Sequence, residues 1–332
     1  MHLSIVICTR NRAAQLIGAL NSLECLSTEH EWEAVVVDNA STDGTADVIR
    51  HAASRQPRIR YVHVERIGLG AARDCGWRQA RGRLLSFTDD DCYLTPDYVD
   101  SVIRVFDEHP EIGFMGGKIL LFDPEDLPIT IDLRLHPVHI PARRFVAAGA
   151  VQGANLSFRR ETLQRIGGFD PEFGAGTAFP CEDIDAVAAA LWAGIAGRYD
   201  PAPVVLHHHR RRASDLSRIV AGYDRGRGAY YMKYILRSDT RRAYLLGWAR
   251  GTARRLHPSG LSRLAREMRS ALAYLTARRR VIPVVILVPV GAALYAAGAA
   301  TACTLCLWRL IAGRRSGPQS AITAPSSRSR HT

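Results

Sequence analysis

The chain has 332 residues, 47% of them apolar, which is enough to bury the core of one large α/β domain with an appendage. Its formal net charge of +12 favours acidic partners: nucleotide phosphates, nucleic acid or anionic lipid. The seven cysteines are scattered, several within apolar runs, which argues against a disulfide framework and fits a reducing compartment.

Strand and helix patterns alternate four times in the first third of the chain. Short apolar runs predict strands at 3–8, 34–37, 59–64 and 83–88. Helical patterns follow these strands at 13–25, at 45–54, after Gly68 and at 96–108. The alternation predicts a mostly parallel sheet with helices on both faces. Because the first strand begins at Leu3, we expect no signal peptide.

The fourth strand ends in three consecutive carboxylates, Asp89, Asp90 and Asp91. Adjacent charges resist burial unless they are paired or bind a metal, and ligands of open parallel sheets lie at the carboxyl ends of the strands. Oxygen ligands suit Mg²⁺ or Mn²⁺, and Mg²⁺ commonly bridges carboxylates to substrate phosphates. The alternative is a solvated acidic turn before a helix.

The alternation loosens after about residue 112. A strand-like segment at 113–121 is followed by an irregular Pro-rich stretch at 122–144, and 151–160 resumes as a strand. A glycine-rich loop precedes Glu182, Asp183 and Asp185, which open a helix. Acids in a first helical turn also match the helix dipole without any further role.

The composition changes beyond residue 210. Residues 211–280 are arginine-rich with interleaved apolar residues, which predicts basic helices. Residues 281–308 contain no charge and exceed the ~20 apolar residues that span a bilayer, so we expect a membrane segment, with a re-entrant or interfacial element or a buried core helix as alternatives. The Arg/Ser/Pro-rich tail, 309–332, is expected to be disordered.

The first 210 residues resemble a family 2 inverting glycosyltransferase with the A-type fold. The resemblance is carried by four motifs in the expected order: Ile7-Cys8-Thr9-Arg10-Asn11-Arg12, Val37-Asp38-Asn39-Ala40-Ser41-Thr42-Asp43-Gly44-Thr45, Asp89-Asp90-Asp91 and Cys181-Glu182-Asp183. It implies a single Rossmann-like A-type domain at 1–210, with a nucleotide-binding half at about 1–118 and an acceptor half at about 119–210.

The resemblance also implies donor-binding roles for Thr9, Arg10, Asp38, Arg73, Asp89 and Asp90. Thr9 and Arg10 would line the nucleoside pocket, and Asp38 would bond the base. Asp89 would reach the ribose. The family's asparagine after the arginine that matches Arg73 is Asp74 here.

For the metal, Mg²⁺ or Mn²⁺, the resemblance implies Asp91, and His207 fits the family's histidine after the final strand. For catalysis, Asp183 is the expected general base and Glu182 the neighbour that orients the acceptor. In-line displacement with such a base inverts the anomeric centre. Asp185 lies two residues further on the helix, so we expect a structural role for it.

The expected partners are a nucleotide-sugar donor, a sugar or lipid-linked acceptor and a membrane surface, with no nucleic acid. Arginines before the uncharged run place the domain at the cytoplasmic face of the cell membrane, because cytoplasmic flanks of membrane segments are enriched in cations. Two alternatives stay open: a sugar-phosphate nucleotidyltransferase, against which the lack of an early lysine counts, and a non-catalytic basic protein that binds nucleic acid or membrane.

Overall fold

A computed structural model of the protein describes residues 1–253 and 258–278. Its strands are β1 (Leu3–Thr9), β2 (Trp32–Asp38), β3 (Ile59–His63), β4 (Leu84–Asp89), β5 (Cys92–Leu94), β6 (Ile112–Leu121), β7 (Val138–Ile140), β8 (Leu156–Arg159) and β9 (Ala196–His207). Its helices are α1 (Ala13–Glu24), α2 (Thr45–Arg55), α3 (Leu69–Gln79), α4 (Tyr98–Glu108), α5 (Arg160–Ile166), α6 (Glu182–Trp192), α7 (Leu216–Ile235), α8 (Arg241–Ala253) and α9 (Pro258–Ala277).

In the described residues the strands form one sheet in the order β3-β2-β1-β4-β8-β6-β9-β5, with β7 beside β9. The four strands predicted from the first third of the chain are β1 to β4, and they pair in parallel. Every residue of β1 and β2 is buried, because helices cover both faces of this part of the sheet. The predicted α/β architecture is therefore confirmed.

The second half of the sheet is mixed, so the predicted mostly parallel order holds only for the first half. Strand β8 lies antiparallel between β4 and β6, and β9 is parallel to β6 but antiparallel to β5 and β7. No α-helix lies between β6 and β8 in the described chain. A parallel pair needs such a crossover, whereas an antiparallel pair does not.

The hydrophobic core continues past residue 210 into α7, α8 and α9. Buried Tyr230 and Trp248 belong to the same apolar cluster as Phe87 of β4. Two glycines of α7 allow close packing: a Cβ on Gly226 would lie 1.9 Å from the Pro180 carbonyl oxygen, and one on Gly228 would lie 2.0 Å from a carbonyl oxygen of α9. Helix α7 is thus fixed against the segment that leads into α6.

In the part of the chain that the structure describes, no helix combines the length and the apolar character needed to cross a membrane. The predicted membrane segment, 281–308, and the predicted disordered tail, 309–332, lie outside the described residues.

Candidate active site

The carboxyl ends of β1 and β4 open into a cleft of about 820 Å³, whose lining includes Thr9, the three consecutive aspartates and the first half of α7. A second cavity of about 420 Å³ is lined by Arg73, Glu182 and Asp183. Asp89, His207 and Tyr223 line both cavities. The two halves of the site therefore meet at the end of β4.

Four side chains at this meeting point could hold a metal ion. Asp89, Asp91, Cys92 and His207 each offer one ligand atom, and these atoms lie within 4.8 Å of one another. The Nε2 atom of His207 is 3.2 Å from Oδ1 of Asp91. Burial raises the pKa of the Cys92 thiol well above its usual range, and a sulfur ligand suits softer metals than Mg²⁺ or Mn²⁺. Two carboxylates and an imidazole fit Mn²⁺ or Mg²⁺.

Arg12 pairs with the two buried aspartates that follow β4. Its Nε is 2.9 Å from Oδ1 of Asp90, and its Nη2 lies 2.5 Å from Oδ2 of Asp91. Burial raises the pKa of Asp90 to about 7, although Arg12 opposes the shift. Burial also acts to raise the pKa of Asp91, but His207 and Arg12 outweigh it and the pKa is lowered. Asp91 is therefore the carboxylate held in its charged form.

The pKa of His207 is raised by the same pair. Burial of the imidazole acts to lower this pKa, but the hydrogen bond and charge of Asp91 outweigh it. On the other side of the ring, Nδ1 lies 3.3 Å from the Thr130 carbonyl oxygen. Contacts on both sides fix the ring orientation and keep Nε2 towards Asp91.

Arg73 joins the two halves of the site. Its buried guanidinium donates from Nη2 to Oδ1 of Asp89 at 3.0 Å and to the Gly153 carbonyl oxygen at 3.2 Å. Its Nη1 lies 2.9 Å from Oε1 of Glu182. Burial acts to lower the pKa of Arg73, but Glu182 and Asp89 outweigh it, so the pKa is raised and the guanidinium stays charged. Arg73 thus holds a carboxylate of each cavity in place.

Asp183 is oriented by the backbone at the start of α6. Its Oδ2 accepts a hydrogen bond from the Gly153 N–H at 2.8 Å, and its Oδ1 accepts one from the Ile184 N–H at 2.7 Å. Cys181, two residues before Asp183, has φ 124°, a region that favours glycine, so the turn into α6 is strained. Strain of this kind persists only where the surroundings impose it, and here it accompanies the presentation of Asp183 to the cavity.

The neighbouring acids of α6 differ from Asp183. Burial raises the pKa of Glu182 to about 7, with Arg73 opposing the shift and Asp183 adding to it. Asp185 is buried on the other side of the helix, where its Oδ2 accepts a hydrogen bond from Nζ of Lys233 at 2.7 Å. The position of Asp185 is that of a structural residue, which is the role expected for it.

The structure brings most of the predicted site residues to the two cavities, with Asp38 as the exception. Thr9 and Arg10 line the larger cleft. The carboxylate of Asp38 is buried and accepts hydrogen bonds from the Ser41 N–H at 2.9 Å and the Tyr61 hydroxyl at 3.1 Å. The following residue, Asn39, lines the cleft instead. The base-binding role of Asp38 stays a prediction.

Asp74 turns away from the nucleotide side. Its Oδ1 accepts hydrogen bonds from Nε1 of Trp77 at 2.8 Å and from the Phe169 N–H at 3.2 Å. The residue that departs from the family's pattern therefore holds the loop after α5 rather than contributing to the cleft.

Among the lining residues that were not predicted are Arg12 and a set from α7. Arg12 stands inside the first motif, so the sequence carried a signal for it. The residues of α7 that line the cavities are Arg218, Ile219, Gly222, Tyr223, Arg225 and Arg227. No local pattern distinguishes them from the other residues of an arginine-rich helix, and only packing places them at the cleft.

Comparison with known proteins shows what the chain is similar to. The family model described as Glycosyl transferase family 2 matches residues 4–167. Validoxylamine A glucosyltransferase of Streptomyces hygroscopicus subsp. jinggangensis is 32% identical over 222 residues, covering 55% of this chain and 50% of the relative. An uncharacterized glycosyltransferase of Nostoc sp. is 28% identical over 181 residues, covering 52% and 55%. The chain thus spans about half the length of these curated relatives.

Solved structures share the fold. A mannosyltransferase, PcManGT from Pyrobaculum calidifontis in complex with GDP-Man and Mn²⁺, aligns with a TM-score of 0.51 at 20% identity over 95% of this chain and 81% of its own. S. aureus TarS in complex with UDP aligns with a TM-score of 0.52 at 16% identity over 91% and 89%. The predicted resemblance to family 2 glycosyltransferases and the predicted A-type fold are confirmed.

Proposed function

We propose that this family 2 glycosyltransferase moves a sugar from a nucleotide-sugar donor to an acceptor hydroxyl, with inversion at the anomeric carbon and with Mg²⁺ or Mn²⁺ as cofactor. One observation carries the proposal. The metal-ligating cluster of Asp89, Asp91 and His207 and the carboxylate of Asp183 line adjoining cavities that share Asp89 and His207. A donor diphosphate and an acceptor hydroxyl can therefore meet at the end of β4.

On the donor side, Asp89, Asp91 and His207 would hold the divalent ion, which when bound would neutralise the diphosphate leaving group. Thr9 and Arg10 line the same cleft and would contact the nucleoside. The mannosyltransferase with the same fold is described in complex with GDP-Man and Mn²⁺, and TarS in complex with UDP. These ligands support a nucleotide sugar and a divalent metal as the pair that this cleft takes.

On the acceptor side, Asp183 would remove the proton of the attacking hydroxyl. The bond from that oxygen to the anomeric carbon forms as the bond from the anomeric carbon to the diphosphate oxygen breaks. The proton passes to Asp183, and the electron pair leaves with the nucleoside diphosphate. The two backbone N–H donors fix the carboxylate of Asp183, which limits the rotations that must be frozen in the transition state. Glu182, held by Arg73, would orient the acceptor.

For the acceptor we propose a sugar or lipid-linked precursor of a surface polysaccharide, presented at the cytoplasmic face of the cell membrane. The uncharged run 281–308 supports a single membrane pass near the C-terminus, and the arginines before it support a cytoplasmic position of the domain. Alkaline carbonate extraction of membranes that contain the full chain tests this part, because release of the protein into the supernatant would contradict a spanning segment.

A donor screen tests the activity. The purified full chain is incubated with Mn²⁺ or Mg²⁺ and a panel of nucleotide sugars, and thermal shift and release of nucleoside diphosphate are measured. We expect at least one donor to raise the melting temperature and to be hydrolysed slowly, in each case only with metal. A panel in which no nucleotide sugar binds, with metal present and the protein folded, would refute the proposal.

A further inference from the structure

Arg12 lies beside the cluster that could hold a metal ion and contacts two of the three consecutive aspartates. Its Nη2 donates a hydrogen bond to Oδ2 of Asp91 at 2.5 Å, and its Nε lies 2.9 Å from Oδ1 of Asp90. The side chains of both aspartates are only 8% exposed. Because a guanidinium keeps its charge in proteins, these two buried carboxylates have a permanent cation beside them.

The two oxygens of Asp91 have different partners. While Oδ2 accepts the hydrogen bond from Arg12, Oδ1 lies 3.2 Å from Nε2 of His207. Two neighbouring ligand atoms of a small octahedral cation are about 3 Å apart, because each lies about 2.1 Å from the ion. Oδ1 and Nε2 therefore stand at the spacing of two ligand atoms, whereas Oδ2 is already covered. Asp91 has one oxygen to offer to a metal ion.

The backbone at Arg12 is fixed by the loop that follows β2. The Arg12 N–H donates to Oγ1 of Thr45 at 3.1 Å. The Asn11 N–H donates to Oγ of Ser41 at 3.0 Å, and Oδ1 of Asn11 accepts a hydrogen bond from the Thr42 N–H at 2.7 Å. The first two sequence motifs are thus joined through their loops, and this contact fixes the position from which the guanidinium reaches the aspartates.

We propose that Arg12 selects the metal ion. By covering Oδ2, it restricts Asp91 to one ligating oxygen, which suits Mg²⁺ and Mn²⁺ and disfavours Ca²⁺. Ca²⁺ takes about six to eight oxygen ligands, which include both oxygens of one carboxylate in many sites, at longer distances than Mg²⁺. The inference rests on the proposed metal-dependent function and adds to it a residue that determines which cation the site takes.

Two simpler roles of Arg12 predict different outcomes. If the guanidinium only competed with the metal for the aspartates, its removal would raise the affinity for every divalent cation by a similar factor. If it only held the loop and the aspartates in place, its removal would lower every affinity by a similar factor. Covering one oxygen of Asp91 instead predicts a change in the ratio of the affinities for Ca²⁺ and Mn²⁺.

The test measures Mn²⁺ binding to the purified full chain without nucleotide, from the electron paramagnetic resonance signal of free Mn²⁺, with Ca²⁺ or Mg²⁺ as the competitor. We expect Ca²⁺ to displace Mn²⁺ poorly from the wild type. In Arg12→Met the affinity for Ca²⁺ relative to Mn²⁺ should rise about tenfold, because the freed Oδ2 adds a ligand for the larger ion. The affinity for Mg²⁺ relative to Mn²⁺ should change by about threefold or less, because one oxygen of Asp91 suits both ions.

A second variant acts on the loop and leaves Arg12 in the chain. Thr45→Val removes the acceptor of the Arg12 N–H with little change in side-chain volume. The affinity ratio should shift in the same direction as in Arg12→Met, but by less. Circular dichroism checks that both variants fold, and if Arg12→Met does not fold, the ratio in Thr45→Val decides.

Arg218→Met is the matched control for charge. Arg218 also lines the larger cleft, but its guanidinium pairs with Asp215. The substitution removes one positive charge from the same cleft, so the ratio of the affinities for Ca²⁺ and Mn²⁺ should stay unchanged.

The outcomes separate this inference from the proposed function. An unchanged ratio in Arg12→Met, an equal change in Arg218→Met, or Ca²⁺ binding to the wild type as tightly as Mn²⁺ would overturn the role of Arg12 and leave the metal site standing. A wild type that binds no Mn²⁺ would overturn the inference together with the metal dependence of the proposed function.

Discussion

The guanidinium of Arg73 lies 2.9 Å from the carboxylate of Glu182, and both side chains are buried. The same guanidinium donates a hydrogen bond to Asp89 at the end of β4. One cation thus fixes Asp89, which belongs to the cluster that could hold a metal ion, and Glu182, which neighbours Asp183 on α6. This arrangement makes the geometry of the two cavities interdependent, and it leads to the first two predictions.

Replacing Arg73 with Met should lower the free energy of unfolding by about 3 kcal/mol at pH 8, because Glu182 would lose its buried cation and would have to remain as an unpaired buried charge or take up a proton. Urea unfolding monitored by circular dichroism measures the change. Arg78 on the same helix is the control. The Arg78 side chain of its ion pair with Asp74 is exposed, so Arg78→Met should lower the free energy of unfolding by about 1 kcal/mol or less. Equal losses of unfolding free energy in the two variants would contradict the claim that Arg73 stabilises the fold by compensating a buried carboxylate.

Gly153→Ala should disturb the same arginine from the other side. A Cβ at this position would lie 2.3 Å from Nη1 of Arg73, so the guanidinium must move. We expect a loss of about 1–3 kcal/mol in the free energy of unfolding and a lower rate of transfer, since the Gly153 N–H also holds Asp183. Gly251→Ala in α8 is the control. Nothing lies within 4 Å of its Cβ, and it should stabilise the protein by up to about 1 kcal/mol.

Asp91→Asn and Asp183→Asn should separate binding from chemistry. Both variants should lose transfer activity, and the loss for Asp183→Asn should be about 10²–10⁴-fold, the range expected for a general base. Only Asp91→Asn should weaken the metal-dependent affinity for nucleotide, because Asp183 lines the other cavity. Isothermal titration with nucleotide in the presence and absence of Mn²⁺ measures this difference. Equal losses of nucleotide affinity would contradict the assigned roles.

Glu182→Gln should change the pH dependence of stability. The pKa of Glu182 is raised from 4.5 to about 7 in the folded protein, so the folded state binds more protons than the unfolded state between these values. The contribution of this group to the free energy of unfolding is therefore present below about pH 4.5 and is lost as the pH rises towards 7, by about 3 kcal/mol at most. The wild type should lose stability relative to the variant over this window. Parallel curves of unfolding free energy against pH would contradict the shift.

Much of the first half of the fold could be predicted because its signals are local. The buried strand that ends in Asp89 was visible from its apolar residues and the acids that follow it, and β1 to β4 were found with small shifts at their ends. The antiparallel position of β8 was not predicted, because a strand of four alternating residues, Leu156–Arg159, has the same pattern in either orientation. Its direction depends on how the chain returns from β6.

The sequence predicted which residues form the site better than it predicted what those residues contact. Asp183 and Asp185 have the same local signal, and the structure separates them: one faces a cavity while the other pairs with Lys233, 48 residues later. The carboxylate of Asp38, expected to bond a base, accepts hydrogen bonds from the Ser41 N–H and the Tyr61 hydroxyl, and its base-binding role stays a prediction. Which partner a carboxylate finds depends on residues that are distant in the chain.

The sequence by itself determined how the first strands and helices follow one another along the chain, where the acidic residues stand and where the uncharged run lies. Strand and helix periods and charge can be read from neighbouring residues. Only the tertiary structure decided that Arg12 pairs with Asp91 across 79 residues, that Arg73 joins two cavities and that α7 forms a wall of the cleft. The physical reason is that a buried charge is stable only beside an opposite charge. Which opposite charge lies beside it depends on the packing of the whole chain.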